Sequence, residues 1–162
     1  MMAPLNYEKT PDINKADLII VNTCAIREKA EQKVYSFLGR LNQIKRQRPE
    51  LIIGVGGCVA QQQGEKIFER APYVDVVFGT HAITRLAGLI AETENGAIRL
   101  LDVGPDSDID AIGIPAGNEN STSVARFVTI MQGCDNYCTY CVVPYVRGRE
   151  ASRTPETVSY TH

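Results

Sequence analysis

Histidine is nearly missing from this 162-residue chain, which holds only His81 and His162. No Ser–His–Asp hydrolytic triad can be argued from that supply. An excess of positive charge is missing too. Seventeen Lys and Arg face nineteen Asp and Glu, for a net charge of −2. The global basic footprint of a dedicated nucleic-acid binder is therefore lacking, and any RNA contact falls to local patches or to protein outside this chain. No apolar run nears the roughly 20 residues that span a bilayer. The polar stretch 6–15 leaves no apolar signal-peptide core. A cytoplasmic protein with no membrane contact is the expectation. Five cysteines in that compartment point to metal ligands or reactive thiols rather than disulfides, and the odd count agrees weakly.

What the chain does hold is 44% hydrophobic residues, enough to build a core. Residues 17–23 form a short β-branched apolar run, read as a buried strand. Over 25–48 the apolar residues Ala30, Val34, Phe37, Leu38, Leu41 and Ile44 step by three and four. That spacing predicts a long amphipathic helix, ended by Pro49. Residues 51–57 read as a second strand running into a glycine turn. A shorter helix over 60–70 follows, then a third strand over 74–78, a third helix around 83–90 and a further strand over 97–103. Alternating strands and helices imply βαβ units and an open parallel α/β sheet with flanking helices. Residues 104–123 are rich in Gly, Pro, Asp, Asn and Ser and read as a linker. A new strand is predicted over 127–131. Thr154-Pro155-Glu156 announces a helix by an N-cap, a first-turn proline and an acid suited to the dipole. The expected organisation is a first domain over 1–103, the linker over 104–123 and the start of a second domain over 124–162. Residues 126–162 cannot bury a core alone, so the chain reads as part of a longer protein.

Cys134, Cys138 and Cys141 fall within eight residues after the second-domain strand. Thiolates select zinc or iron–sulfur centres. Structural zinc wants four ligands, and neither a His nor a fourth Cys lies nearby. Electron-transfer clusters also take four. Three cysteines on a [4Fe–4S] cluster leave one iron open to a substrate or cofactor. A zinc knuckle or incidental thiols are the plainer alternative. Cys24 and Cys58 each follow a strand, where parallel sheets place ligand sites. Adjacent parallel strands would bring these two thiols onto one rim. Buried, incidental cysteines are the alternative there.

The stretch Met131-Gln-Gly-Cys134-Asp-Asn-Tyr-Cys138-Thr-Tyr140-Cys141-Val-Val-Pro-Tyr-Val-Arg147-Gly-Arg149-Glu150-Ala-Ser152-Arg153 resembles the radical-SAM methylthiotransferases. Val21-Asn22-Thr23-Cys24 and Gly56-Gly57-Cys58-Val59-Ala60-Gln61 resemble the N-terminal domain of the same family. The likeness runs from about residue 6 to 157. It favours the branch acting on dimethylallyl-adenosine in tRNA over those acting on threonylcarbamoyl-adenosine or a ribosomal protein.

The resemblance implies two [4Fe–4S] clusters in the parent enzyme. Cys134, Cys138 and Cys141 would hold the one that binds S-adenosylmethionine, with Tyr140 near that cofactor. Cys24 and Cys58 would be two of three ligands of an auxiliary cluster for sulfur delivery. It implies a 5′-deoxyadenosyl radical that activates C2 of the modified adenosine beside the anticodon, where sulfur and a methyl group are added. It implies a tRNA substrate, unspecified electron and sulfur donors, and a monomeric parent. Two departures follow. No cysteine precedes Cys24, so the third auxiliary ligand and the first strand of the sheet are missing. Only the first strand and loop of the radical-SAM β/α barrel are present. The chain alone is therefore expected to be inactive and its open sheet edge prone to self-pairing.

Arg147, Arg149 and Arg153 suit tRNA phosphates or a cofactor carboxylate, or form a solvated basic turn. His81 is read as a residue at the start of the third helix rather than as a substitute ligand. Asp106, Asp108 and Asp110 lack the glycine and terminal Glu of a calcium loop and read as a solvated acidic linker.

Overall fold

A computed structural model of the chain describes residues 5–25, 28–104 and 129–159. The linker reading and the acidic triplet fall outside the described residues, apart from Gly104. Four parallel strands form one sheet in the order β1 (Leu18–Thr23), β2 (Ile52–Gly57), β3 (Val76–Phe78), β4 (Leu100–Asp102). The four readings of this domain's strands therefore hold, with β3 and β4 shorter than expected. Between β1 and β2 runs the 20-residue helix α1 (Glu28–Gln47). Between β2 and β3 lie α2 (Cys58–Gln63) and α3 (Lys66–Arg70). A 3₁₀ turn, Ala82–Arg85, leads into α4 (Leu86–Glu94) before β4.

The period-two alternation of the strands sorts the core onto two faces. Ile53 and Val55 of β2 and Val77 of β3 pack with Leu38 and Leu41 of α1, Ala60 of α2, and Ile67 and Phe68 of α3. The residues between them, Ile52, Val76 and Phe78, face the other way onto Ala82, Leu86 and Ile90. Each fully buried aliphatic side chain in these layers stabilises by about 1.5–3 kcal/mol relative to exposure. β2 is buried along five of its six residues, as a central strand covered on both faces must be. β1 is only half-buried and lies at the sheet edge.

One expectation is corrected. The helix read over 60–70 is two helices. Gly64 breaks it with φ +50, its N–H still bonded to the Ala60 carbonyl. Gly closes a helix in this way because the conformation costs it no Cβ clash.

Charges tie the layers at their margins. Lys45 pairs with Asp75, whose Oδ2 also accepts from the Ile53 N–H at 2.8 Å. Arg48 bonds the carbonyls of Asn14 and Ala16 and pairs with Asp17 and Glu50. The basic end of α1 is thus engaged in packing the entry to β1. Among the described residues no helix is long and apolar enough to cross a membrane.

The described part of the second segment holds β5 (Met131–Gln132), α5 (Val143–Arg147), β6 (Ala151–Ser152) and α6 (Pro155–Ser159). β5 pairs antiparallel with β6. Among the described residues of this segment no strand pairs in parallel, as the strands of a β/α barrel would. The helix announced at Pro155 is present. α5 and β6 were not expected, being too short to carry a periodic signal.

Candidate functional site

All of the chemistry-bearing cysteines of the first domain lie at the carboxyl ends of its strands. β1 and β2 pair in register to their last residues, Thr23 against Gly57. Cys24 follows the first of these, and Cys58 follows the second and opens α2. Adjacent strands run about 4.8 Å apart, so the two cysteines leave one rim side by side. Cys24 is exposed and Cys58 buried. The chain can turn into α2 at this point because Gly57 takes φ +95, where a Cβ would overlap the Thr23 carbonyl.

Thr23 holds the turn from the other strand. Its hydroxyl donates to the Gly56 carbonyl at 2.6 Å and accepts from the Val59 N–H at 3.1 Å. Among the described residues it is the buried polar residue, 6% exposed, and its bonds run to Gly56 and Val59 on either side of the Gly57–Cys58 turn.

Cys134, Cys138 and Cys141 lie on the loop between β5 and α5. The loop is shaped by its backbone. Gly133 at φ +76 brings the chain so close to Arg149 that a Cβ would overlap the Arg149 carbonyl. The Cys134 N–H donates to Gly148 O at 3.3 Å, and the Cys141 N–H to Cys138 O at 2.9 Å. Asp135 accepts from Arg149 Nη2 at 3.2 Å and from the Glu150 N–H at 3.0 Å. The guanidinium and that backbone bond hold its carboxyl below the ordinary range. Arg149, whose charge suits a phosphate, a carboxylate or a solvated turn, is engaged with Asp135. Arg147 ends α5 and is exposed. Arg153 bonds the Ile130 carbonyl through its backbone N–H at 2.9 Å. Tyr140 is 91% exposed, and Tyr137 meets Tyr145 edge to face at 6.1 Å.

Cys138 is exposed, and Cys134 and Cys141 are partly so. The Cys134 sulfur accepts from Asn136 Nδ2 at 3.3 Å. The donor set suits a soft centre: three thiols on one accessible loop. The sulfurs are not gathered for ligation, however. Among the described residues no three His, Cys, Asp or Glu side chains are grouped to hold a metal ion.

The two cysteine regions meet at one turn, Gly79-Thr80-His81, just after β3. Thr80 Oγ1 donates to the Val146 carbonyl of α5 at 2.7 Å. Gln132 Nε2 of β5 lies 3.0 Å from His81 Nδ1 and, as an amide nitrogen, donates to it. Gln61 of α2 reaches the same turn: its Oε1 accepts from the Thr80 N–H at 3.2 Å, and its Nε2 donates to Val103 O at 2.7 Å. α2 and α5 pack against each other. His81 does sit at the start of a helical turn, as read. Its bond to a residue 51 positions away has no local sequence signal. A cavity of about 520 Å³ lies elsewhere, at the amino end of β1, lined by Leu5, Tyr7, Lys15, Asp17 and Glu94 among others.

A parallel α/β domain with two cysteines on its carboxyl rim, docked against a three-cysteine loop, is the setting in which the comparisons with known proteins fall. Residues 1–79 match the protein family described as uncharacterized protein family UPF0004, the part that carries Cys24 and Cys58. Across nearly its whole length the chain is similar to bacterial enzymes named tRNA-2-methylthio-N(6)-dimethylallyladenosine synthase. It is 53% identical to that of Geobacter metallireducens over 147 residues, which make up 91% of this chain and 33% of that protein. The synthase of Desulfosudis oleivorans is 53% identical over 144 residues, 89% of this chain and 31% of that protein. The synthase of Citrifermentans bemidjiense is 49% identical over 158 residues, 98% of this chain and 36% of that protein. The resemblance to methylthiotransferases read from the cysteine motifs is thus borne out. The chain spans about a third of the length of the curated relatives it matches.

Proposed function

We propose that this chain supplies the N-terminal domain and the first cysteine loop of a cytoplasmic tRNA methylthiotransferase. The reaction adds sulfur and a methyl group at C2 of N6-dimethylallyladenosine near the anticodon. About 50% identity to synthases of that name over 91–98% of the chain supports the activity and the substrate. The spacing of Cys134, Cys138 and Cys141 supports the chemistry. Residues 1–103 are the domain that holds the auxiliary site, 104–123 the linker and 124–162 the opening of a radical-SAM barrel.

In this reading Cys134, Cys138 and Cys141 hold a [4Fe–4S] cluster, and Cys24 and Cys58 supply two ligands of a second. A cluster held by the first three would supply the electron that activates S-adenosylmethionine. The chain's own residues do the positioning. Gly133, Asp135 and Arg149 fold the cysteine loop back on the Gly148–Glu150 strand entry. Thr23 and Gly57 set Cys58 beside Cys24. Tyr140, exposed before Cys141, would lie near bound S-adenosylmethionine. The parent acts as a monomer on tRNA, with electron and sulfur donors of unspecified identity.

The test exchanges this chain for the corresponding third of the Geobacter metallireducens synthase and expresses the chimera in a bacterium lacking its own enzyme. Mass spectrometry of tRNA nucleosides should show 2-methylthio-dimethylallyladenosine, and Cys138→Ala should abolish it. Product that persists after replacement of Cys134, Cys138 and Cys141 together would overturn the reading. So would stoichiometric zinc without iron–sulfur absorption.

A further inference from the structure

We propose that the Gly79-Thr80-His81 turn is the joint that sets the position of the three-cysteine loop relative to the Cys24–Cys58 rim, with Gln61, Thr80 and His81 as positioning residues. The inference rests on the reading of the two cysteine sites given above, but its observations are independent of that reading.

Three polar side chains make a continuous path between the two regions. Cys58 and Gln61 stand on consecutive turns of α2, one turn of helix apart. Gln61 fastens the Thr80 backbone through its Oε1. Thr80 in turn spends its hydroxyl on the carbonyl of Val146, a residue 2% exposed and five positions beyond Cys141. The neighbouring His81 ring takes the Gln132 amide, two positions before Cys134. The turn thus grips the cysteine loop on both of its flanks, from β5 and from α5.

The geometry also fixes the direction of the grip. Gln61 is held at its other end by Val103 O, so it cannot swing to follow a displaced Thr80 without breaking a second bond. Gly79 is bonded to the Asp102 carbonyl at 2.7 Å, and Asp102 is clamped by Arg85 through two bonds of 2.7 and 2.9 Å. The turn is anchored in the rigid sheet, and the cysteine loop, with only a two-residue strand pair of its own, takes its placement from that anchor. A buried carbonyl that loses its donor costs more than the bond itself was worth, so removal of one hydroxyl should release α5.

Amide hydrogen exchange on the 162-residue chain tests this directly. In Thr80→Val the Val146 and Cys134 amides, bonded to Val142 O and Gly148 O, should exchange about tenfold faster or more, while Val55 and Val77 in the sheet stay unchanged. Thr80→Ser, which keeps the hydroxyl, should restore protection. His81→Leu should release Cys134 in the same way, and it decides the matter if Thr80→Val fails to fold. Exchange at the original rate in both Thr80→Val and His81→Leu would overturn the proposal. In the chimeric synthase, Thr80→Val should retain formation of 5′-deoxyadenosine and lose methylthiolated product, with Thr80→Ser recovering it. Equal loss of both products in Thr80→Val and Thr80→Ser would also overturn it. Failure of the cysteine reading would show separately, as absence of iron–sulfur absorption in the unsubstituted chimera.

Discussion

The hydroxyl of Thr23, at the end of one strand, lies 2.6 Å from the carbonyl of Gly56 near the end of the next. The same oxygen accepts from the Val59 N–H at 3.1 Å, so one buried side chain ties the exits of β1 and β2 together. Thr23→Val preserves the shape and removes both bonds. It leaves a buried carbonyl and a buried N–H without that partner, and should destabilise the chain by about 1–3 kcal/mol. Thr23→Ser should cost less than Thr23→Val because the bonds survive. Urea denaturation followed by circular dichroism measures both. Thr23→Val should also speed alkylation of Cys58, which is 7% exposed, more than that of the already exposed Cys24. An unchanged ratio of the two rates would show that Thr23 does not hold the turn.

The two central strands were legible in the sequence because they are buried on both faces. Residues 52–55 and 76–78 are short runs without polar side chains, and the apolar residues of α1 keep a 3.6-residue period over about four turns. The carboxyl-rim placement of Cys24 and Cys58 followed from that topology alone. The break at Gly64 was signalled by the glycine, yet the apolar pattern runs on through Ile67 and Phe68 and hides it. α5 and β6 gave no signal because five helical residues and two strand residues complete no period. Nor did the joint at Thr80 and His81. Its partners, Val146 and Gln132, are 66 and 51 residues away, and pairing at that range is written in the packing. Arg149 shows the limit from the other side. Its charge left an anion contact and a solvated turn equally open, while Asp135, fourteen residues earlier, pairs with it.

Gly133 is required by the space around it. Its φ of +76 and the overlap of any Cβ with the Arg149 carbonyl act together. Gly133→Ala should therefore cost about 1–3 kcal/mol of local strain, taken up by opening the loop away from residues 148–150. The Cys134 N–H bond to Gly148 O would go first. NMR should show the Cys134 and Glu150 amides shifted and the sheet amides in place. A Gly133→Ala spectrum that superimposes on the original would mean that the loop is not closed in this way.

Asp75, just before β3, ties two strands and a helix together. Its side chain accepts from the Ile53 N–H on β2 and pairs with Lys45 of α1. Its carbonyl accepts from the Leu100 N–H on β4 at 2.9 Å. Lys45 and Asp75 side chains are 16% and 24% exposed, so the pair is screened less than a surface pair. Asp75→Ala should lose about 2–4 kcal/mol, since it strands both a cation and an amide. Lys45→Met should lose less, since the Ile53 bond remains. In a double-mutant cycle over Lys45→Met and Asp75→Asn, a coupling of about 0.5 kcal/mol or more is expected. A coupling of zero would reduce the pair to a coincidence of position.

Tyr7 should make the chain sensitive to alkali. Burial raises its pKa to about 12, helped by its 2.8 Å hydrogen bond to Glu94 and by the charges of Glu94 and Asp17. A phenol in the unfolded chain ionises near pH 10. Above that pH the unfolded state gives up a proton that the folded state keeps, so unfolding is favoured progressively. The stabilisation is complete below pH 10 and is lost as pH rises from about 10 to about 12. Glu94→Gln removes the carboxylate that opposes phenolate formation and should move the titration down toward pH 10. Phenolate absorbance of the original chain minus that of Tyr7→Phe isolates this one side chain among seven tyrosines. A difference spectrum that titrates near pH 10 would show that the Tyr7–Glu94 contact does not hold the N-terminal segment to α4 in solution. Titration near 12 that shifts down in Glu94→Gln would place that contact among the bonds that fix the start of the chain beside β1.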